Sequence, residues 1–157
     1  MERNCRYLVT YARVTDDRFQ FEIGKEVGPA TSAYAALGLS FDDKMGEDSV
    51  MACTMAAADH LDVAMYWNVA SPNKNSLPLE DPHFGLTNVE ASVWDGFLQC
   101  TFEREAVTRV PKPDNTSQVF DLGQAKFYLL LASGGMTAGG VLAQHTSTER
   151  SAEPQVY

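Results

Sequence analysis

Positive charge is scarce in this chain. Among 157 residues, 12 Lys and Arg stand against 21 Asp and Glu, a formal charge of −9 at pH 7. Such a balance excludes a nucleic-acid binder, which needs a basic footprint to displace counterions, and disfavours adsorption to an anionic membrane surface. Long apolar runs are missing as well. The best candidate, Phe127 to Ala132 (FYLLLA), is strand-sized and far short of the ~20 residues that span a bilayer. The first residues, Met-Glu-Arg-Asn-Cys-Arg, are charged and lead into no apolar stretch of a secretory leader. Cysteine is sparse: Cys5, Cys53 and Cys100, with no CxxC pair and no zinc-site spacing. An odd count is compatible with one disulfide plus a thiol that pairs outside this segment, or with three reduced thiols. No GxSxG, HExxH, phosphate-binding loop or GxGxxG occurs, so hydrolytic and group-transfer chemistry has little support. There is no internal repeat, low-complexity tract or domain boundary. With 45% hydrophobic and 21% charged residues, the chain has the composition of one folded domain, residues 1–157.

What is abundant is a period of two. Tyr7 to Val14 is rich in aromatic and β-branched residues, and Thr15-Asp16-Asp17 stops it. Phe19-Gln20-Phe21-Glu22-Ile23 alternates apolar and polar, which predicts a strand with one buried face, hairpinned to the first. Further strands are expected at Tyr34–Ser40, Ser49–Met55 and Val63–Val69. The stretch Met51 to Leu61 (MACTMAAADHL) is also compatible with helix. Ser71 to Gly85, dense in Pro, Asn and Asp, reads as a loop. Val89–Trp94, Asp95-Gly96 and Phe97–Arg104 form the strongest hairpin pattern in the chain. Pro111 to Asn115 is another loop, and the last strands are expected at Ala125–Ala132 and Gly140–Gln144. The pattern predicts an all-β fold, an antiparallel Ig-like β-sandwich of about nine to eleven strands, with residues 146–157 as a loose polar tail.

Few side chains invite chemistry. His60, His83 and His145 are far apart in sequence, and Asp59-His60 reads as a surface pair. The acidic loop Phe41-Asp42-Asp43-Lys44-Met45-Gly46-Glu47-Asp48 fails the calcium-loop pattern, since its glycine falls at the fifth place and no glutamate closes a twelve-residue loop. Met45 stands out in that loop as a thioether among charges: either a plug on the core or a soft ligand for haem iron. His145 ends the last apolar run, as an edge-strand histidine or an axial ligand. Asn115-Thr116-Ser117 is a glycosylation acceptor in a secretory context.

The stretch Ala36-Leu37-Gly38-Leu39-Ser40-Phe41-Asp42-Asp43-Lys44-Met45-Gly46-Glu47-Asp48-Ser49-Val50 closely resembles the signature of DOMON domains, extracellular β-sandwiches of the dopamine β-monooxygenase N-terminal type. Agreement continues through Asp95 to Arg104 and Tyr128 to Gly134 and ends at His145. The subgroup it looks most like includes ferric-chelate reductase 1 and stromal-cell-derived receptor proteins, where the domain precedes a cytochrome b561 membrane domain.

That resemblance implies a b-type haem held between a Met in this loop and a His near the C-terminal end of the domain. Those positions are filled here by Met45 and His145, the expected axial ligands of haem iron. Tyr34, Phe41, Met65, Trp67 and Phe127 are candidates to line the porphyrin slot. It further implies an extracellular or luminal electron-transfer domain, with no catalytic residues of its own, relaying electrons from a cytochrome b561-type partner to ferric iron or another acceptor. As part of a ferric-chelate reductase it would be an oxidoreductase module. The negative charge favours a cationic partner over an anionic chelate. A haem-free DOMON module that binds sugar or protein, through exposed aromatics and the Ser71–Gly85 loop, is the alternative. For the cysteines, Cys53 with Cys100 across the sandwich and Cys5 with Cys53 both stay open.

Overall fold

The computed structural model describes residues 6–70, 75–137 and 141–156; Cys5 and the first part of the Ser71–Gly85 loop lie outside them. Every described element is a strand, and every pairing is antiparallel. The smaller sheet runs in the order β1 (Tyr7–Thr15), β2 (Arg18–Glu26), β8 (Phe97–Glu105), β7 (Leu86–Trp94). The larger sheet runs β12 (Ser147–Arg150), β11 (Lys126–Gly134), β3 (Ala33–Ser40), β4 (Asp48–Ala57), β5 (His60–Asn68), β6 (Ser76–Pro78), with β13 (Gln155–Val156) also paired to β11. β9 (Val107–Pro111) and β10 (Ser117–Asp121) form a separate hairpin.

The two large sheets pack face to face because each strand turns one set of alternate residues inward. From the smaller sheet come Phe19, Phe21 and Ile23 of β2 and Leu98, Cys100 and Phe102 of β8, all fully buried. From the larger come Leu37 and Leu39, Met51 and Cys53, Val63, Met65 and Trp67, and Phe127. A Cys53–Cys100 disulfide joins β4 to β8 through this core, with Cα atoms 5.7 Å apart. Of the two pairings left open by the sequence, this one crosses the sandwich between central strands.

The hairpin at Asp95-Gly96 forms as its dipeptide predicts. Both residues take positive φ, 49° and 73°, the backbone that a tight two-residue turn between right-twisted strands demands. Met51 to Leu61, which helix could have claimed, is strand throughout its first part and turns at Ala58-Asp59. Burial between two layers overrides its alanine content there.

Several short strands were not legible. β6 lies inside the expected loop, and β9 and β10 flank Pro111–Asn115. The stretch after Thr146, expected to be a loose tail, supplies β12, whose Leu130↔Arg150 and Ala132↔Thr148 pairs extend the larger sheet. All four β12 side chains are exposed, so no hydrophobic alternation advertised it. The strand expected at Gly140–Gln144 is absent among the described residues there; Leu142 makes only an isolated bridge to Met136.

Candidate functional site

The larger sheet has a second apolar face, pointing away from the inter-sheet core. Tyr34, Ala36, Val50, Ala52 and Tyr66 are buried there, with Ala64, Ala132, Met136 and Leu142 packed against them. Register explains the grouping. Ala36 sits opposite Ala52 and Ala132, and Gly38 opposite Val50 and Leu130, so residues of one parity from β11, β3 and β4 share a face. The side chains at its centre are small, which leaves a flat apolar floor. Every residue of β3 is buried, as expected of a strand covered on both faces.

Over this floor lies a cavity of about 410 Å³, within the range of cofactor pockets. Its floor is Ala36, Gly38, Val50, Leu130 and Ala132; Asp43 and Met45 of the 41–47 loop and Leu142, His145, Thr148, Glu149 and Arg150 of the C-terminal segment line the rest. Met45 and His145, a hundred positions apart in sequence, therefore line one space. Met45 is half-buried and His145 exposed. Of the five residues expected to line a slot, only Tyr34 does so. Met65, Trp67 and Phe127 are fully buried in the inter-sheet core instead. Phe41 is half exposed and packs on Phe120 and Phe127 at ring-centroid distances of 5.2 and 5.0 Å. These are on the opposite side of the larger sheet from the cavity, because the slot uses the outer parity and not the core parity.

Hydrogen bonds at short range shape the loop that bears Met45. Lys44 N–H donates to Asp42 Oδ1 at 2.8 Å, and Gly46 N–H to Asp48 Oδ2 at 2.8 Å. Asn68 Nδ2 donates to the same Asp48 oxygen at 3.0 Å, and Glu47 N–H to the Asn68 carbonyl at 2.7 Å. Asp48 is wholly buried, and burial holds its carboxyl above the usual range despite hydrogen bonds from Ser40, Gly46 and Asn68. Gly46 takes φ 130°, and a Cβ there would stand 3.1 Å from the Ala70 backbone. Only glycine suits that place.

His145 follows a segment tied to β11 and β3, and is not on a strand itself. Tyr34 Oη donates to the Ala143 carbonyl at 3.0 Å, Ala143 N–H to the Gly135 carbonyl at 3.0 Å, and Thr146 N–H to the Ser133 carbonyl at 2.8 Å. Burial pushes the Tyr34 hydroxyl up from its ordinary value, so it stays a donor. A Cβ on Gly134 would lie 3.1 Å from the Gln144 carbonyl oxygen and 3.3 Å from the His145 Cα. The histidine backbone thus depends on a bare strand beneath it. The readable trace of all this was in β3 and β4, whose residues are apolar at both parities; a one-faced strand is not.

The other histidines stay apart from the cavity. His60 Nδ1 lies 2.8 Å from Asp59 Oδ1 in an exposed pair, and His83 Nε2 meets both Asp62 oxygens at 2.8 and 2.9 Å. Among the described residues no cluster of three or more His, Cys, Asp or Glu side chains is placed to hold a metal ion. One thioether and one imidazole are too few donors for a free ion. They suit a planar group that brings its own equatorial donors and needs a flat apolar bed. Asn115 is exposed in the β9–β10 turn with φ 65°, at the rim of a separate cavity of about 440 Å³. No helix among the described residues is long and apolar enough to cross a membrane.

Comparison with known proteins gives the family. The DOMON domain model matches residues 3–134, a span that includes Met45 and stops short of His145. The chain is 32% identical over 138 residues to a Drosophila melanogaster protein named "Putative ferric-chelate reductase 1 homolog", covering 87% of this chain and 20% of that one. It is 24% identical over 138 residues to the Danio rerio "Putative ferric-chelate reductase 1", covering 87% of this chain and 21% of that protein. The chain thus spans about a fifth of the length of these curated relatives. No solved structure matches it significantly.

Proposed function

This chain belongs to the DOMON domain family, and on that premise we propose that it is a haem b-binding electron-transfer domain with Met45 and His145 as the axial ligands. One observation carries the reading: both side chains line a single cavity whose floor is small and apolar. The donor set and the bed fit the group. Bound haem b would supply one-electron chemistry, cycling between ferric and ferrous iron. The residues do the rest. The Met45 thioether would favour ferrous iron and so raise the potential of a haem held there. With both Met45 and His145 holding the iron, the site would favour outer-sphere electron transfer over oxygen chemistry. Ala36, Gly38, Val50, Leu130 and Ala132 give an apolar floor that would exclude water from a bound haem, and Tyr34 with Gly134 holds the His145 segment down.

Two of its relatives are named for ferric-chelate reduction. Extended to this chain, that makes ferric iron, or another acceptor, the destination of the electrons, and a cytochrome b561-type membrane domain their source. An extracellular or luminal position suits such a route, as do the Cys53–Cys100 disulfide and the exposed sequon at Asn115. A formal charge of −9 favours a cationic partner surface.

The test is an absorbance spectrum of protein expressed or titrated with haem. Wild type gives a Soret band that sharpens and shifts on reduction. Met45→Ala and His145→Ala each lose that low-spin spectrum while keeping the wild-type β-sheet circular dichroism. A folded wild-type sample whose spectrum is blind to added haem refutes the proposal and leaves the sugar- or protein-binding alternative standing.

A further inference from the structure

Two groups of contacts hold the candidate site, and they are of different kinds. The anchors of the 41–47 loop through Ser40, Asp42, Asp48 and Asn68 stay within the loop and β3, β4 and β5, and Glu47 pairs with Lys112 after β9. Those of the His145 segment run to Tyr34, Ser133 and Gly135. Each set fixes one segment, and neither joins the two segments directly to each other. One side chain reaches across. Arg150 Nη1 donates to the Asp43 carbonyl at 2.7 Å and to Asp43 Oδ2 at 3.0 Å, over a separation of 107 residues.

Placement makes this contact more than a surface pair. Asp43 lies two residues before Met45, and Arg150 five after His145, in a strand whose backbone pairs with Leu130 of the cavity floor. Among the described residues that line the cavity, Arg150 is the one Lys or Arg, and it pairs with Asp43. Its grip on a main-chain carbonyl fixes the loop backbone itself, not only a mobile side chain, and charge-assisted bonds of this type are the stronger class.

The geometry points to Arg150 as a positioning residue for Met45: it fastens the Met45 loop to the C-terminal segment that carries His145, and so sets the span that one planar ligand must bridge. The inference rests on the haem reading of the site. Both ends of the pair are about half exposed, 58% for Arg150 and 48% for Asp43, so the contact contributes little to global stability. Its removal is therefore a clean perturbation of the site.

The experiment compares wild type with Arg150→Ala, Arg150→Lys and Asp43→Asn, each loaded with haem b. Three readouts apply: the near-infrared charge-transfer band of Met-ligated ferric haem, the rate of haem release to excess apomyoglobin, and the reduction potential. Arg150→Ala is expected to weaken the band, lower the potential and speed release about three- to tenfold, the scale of one charge-assisted contact. Arg150→Lys, with a single-point donor, restores part of the effect. Asp43→Asn keeps the carbonyl contact and shows a smaller change, and high salt moves wild type toward Arg150→Ala. Thermal midpoints stay near wild type throughout. In haem-free protein, hydrogen exchange at the amides of Lys44 to Gly46 quickens in Arg150→Ala.

Wild-type band, potential and release rate in Arg150→Ala overturn the positioning role even if the haem-free loop exchanges faster. Equal loss of haem in all variants together with a lowered thermal midpoint also overturns it, since that marks general destabilisation. A wild type that takes up no haem overturns the proposed function, and the positioning role falls with it; that failure is distinct from the variant-only failures.

Discussion

Replacing both Cys53 and Cys100 by Ala tests how the two sheets are held. The crosslink closes a loop of 47 residues. Loop-closure entropy then puts its contribution at about 4 kcal/mol at room temperature, through restriction of the unfolded chain. Both sulfurs are fully buried between the sheets, so the double Ala variant also leaves a small void that adds to the loss. Alanine is preferred to serine because a buried hydroxyl would bring its own desolvation cost. The assay is urea unfolding followed by circular dichroism, with slope and midpoint fitted separately. The expected result is a fall of about 3–5 kcal/mol and a steeper slope, because the uncrosslinked chain exposes more surface when it unfolds. Reduced wild type should show the same steeper slope and a somewhat smaller loss, since it keeps both sulfurs in place. A loss below about 1 kcal/mol with an unchanged slope would refute the entropic argument. It would mean that the paired sheets already restrict the denatured chain as much as the bond does. In either case haem uptake by the folded variant should match wild type, since neither cysteine lines the cavity.

Three further outcomes follow from the site. Gly134→Ala brings a methyl to 3.1 Å from the Gln144 carbonyl and should cost roughly 1–3 kcal/mol by overpacking; haem affinity should fall with it, and an unchanged haem titration would show that His145 does not need that seat. Ala36→Phe raises a ring from the cavity floor and should weaken haem binding by tenfold or more while a calorimetric scan stays near wild type; retained affinity would place the ligand elsewhere. Asp48 has a raised carboxyl value from burial, so the stability it contributes is complete below the ordinary carboxylate value of about 4 and is lost as pH rises through its folded value. Asp48→Asn removes that dependence, and its stability relative to wild type should improve from acid to neutral pH in denaturant titrations; a flat difference would count against the desolvation argument.

The ease with which the frame was read has a physical cause. Phe19 to Ile23 buries one face and wets the other, so its alternation is visible residue by residue, and Asp95-Gly96 announces its turn because few dipeptides tolerate two positive φ values. The family resemblance carried Met45 and His145 as a pair, and the fold puts both on one cavity. Most of the residues expected to line a slot lie in the core instead. Met65, Trp67 and Phe127 are large and apolar, and large apolar residues are drawn to the centre between two sheets. The floor takes three of its five residues from alanine and glycine, Ala36, Gly38 and Ala132, which look like nothing in a linear string.

From the sequence alone came the all-β class, the central hairpins, the acidic character and the two odd residues, since these depend on local period, turn chemistry and composition. Tertiary structure decided which parity of β3, β4 and β11 faces the cavity, which cysteines pair, and that an exposed polar stretch after Thr146 becomes a strand reaching back to Asp43. Those are matters of register between distant strands, where a shift of one residue turns a floor into a core, and no local pattern records which strand will lie alongside.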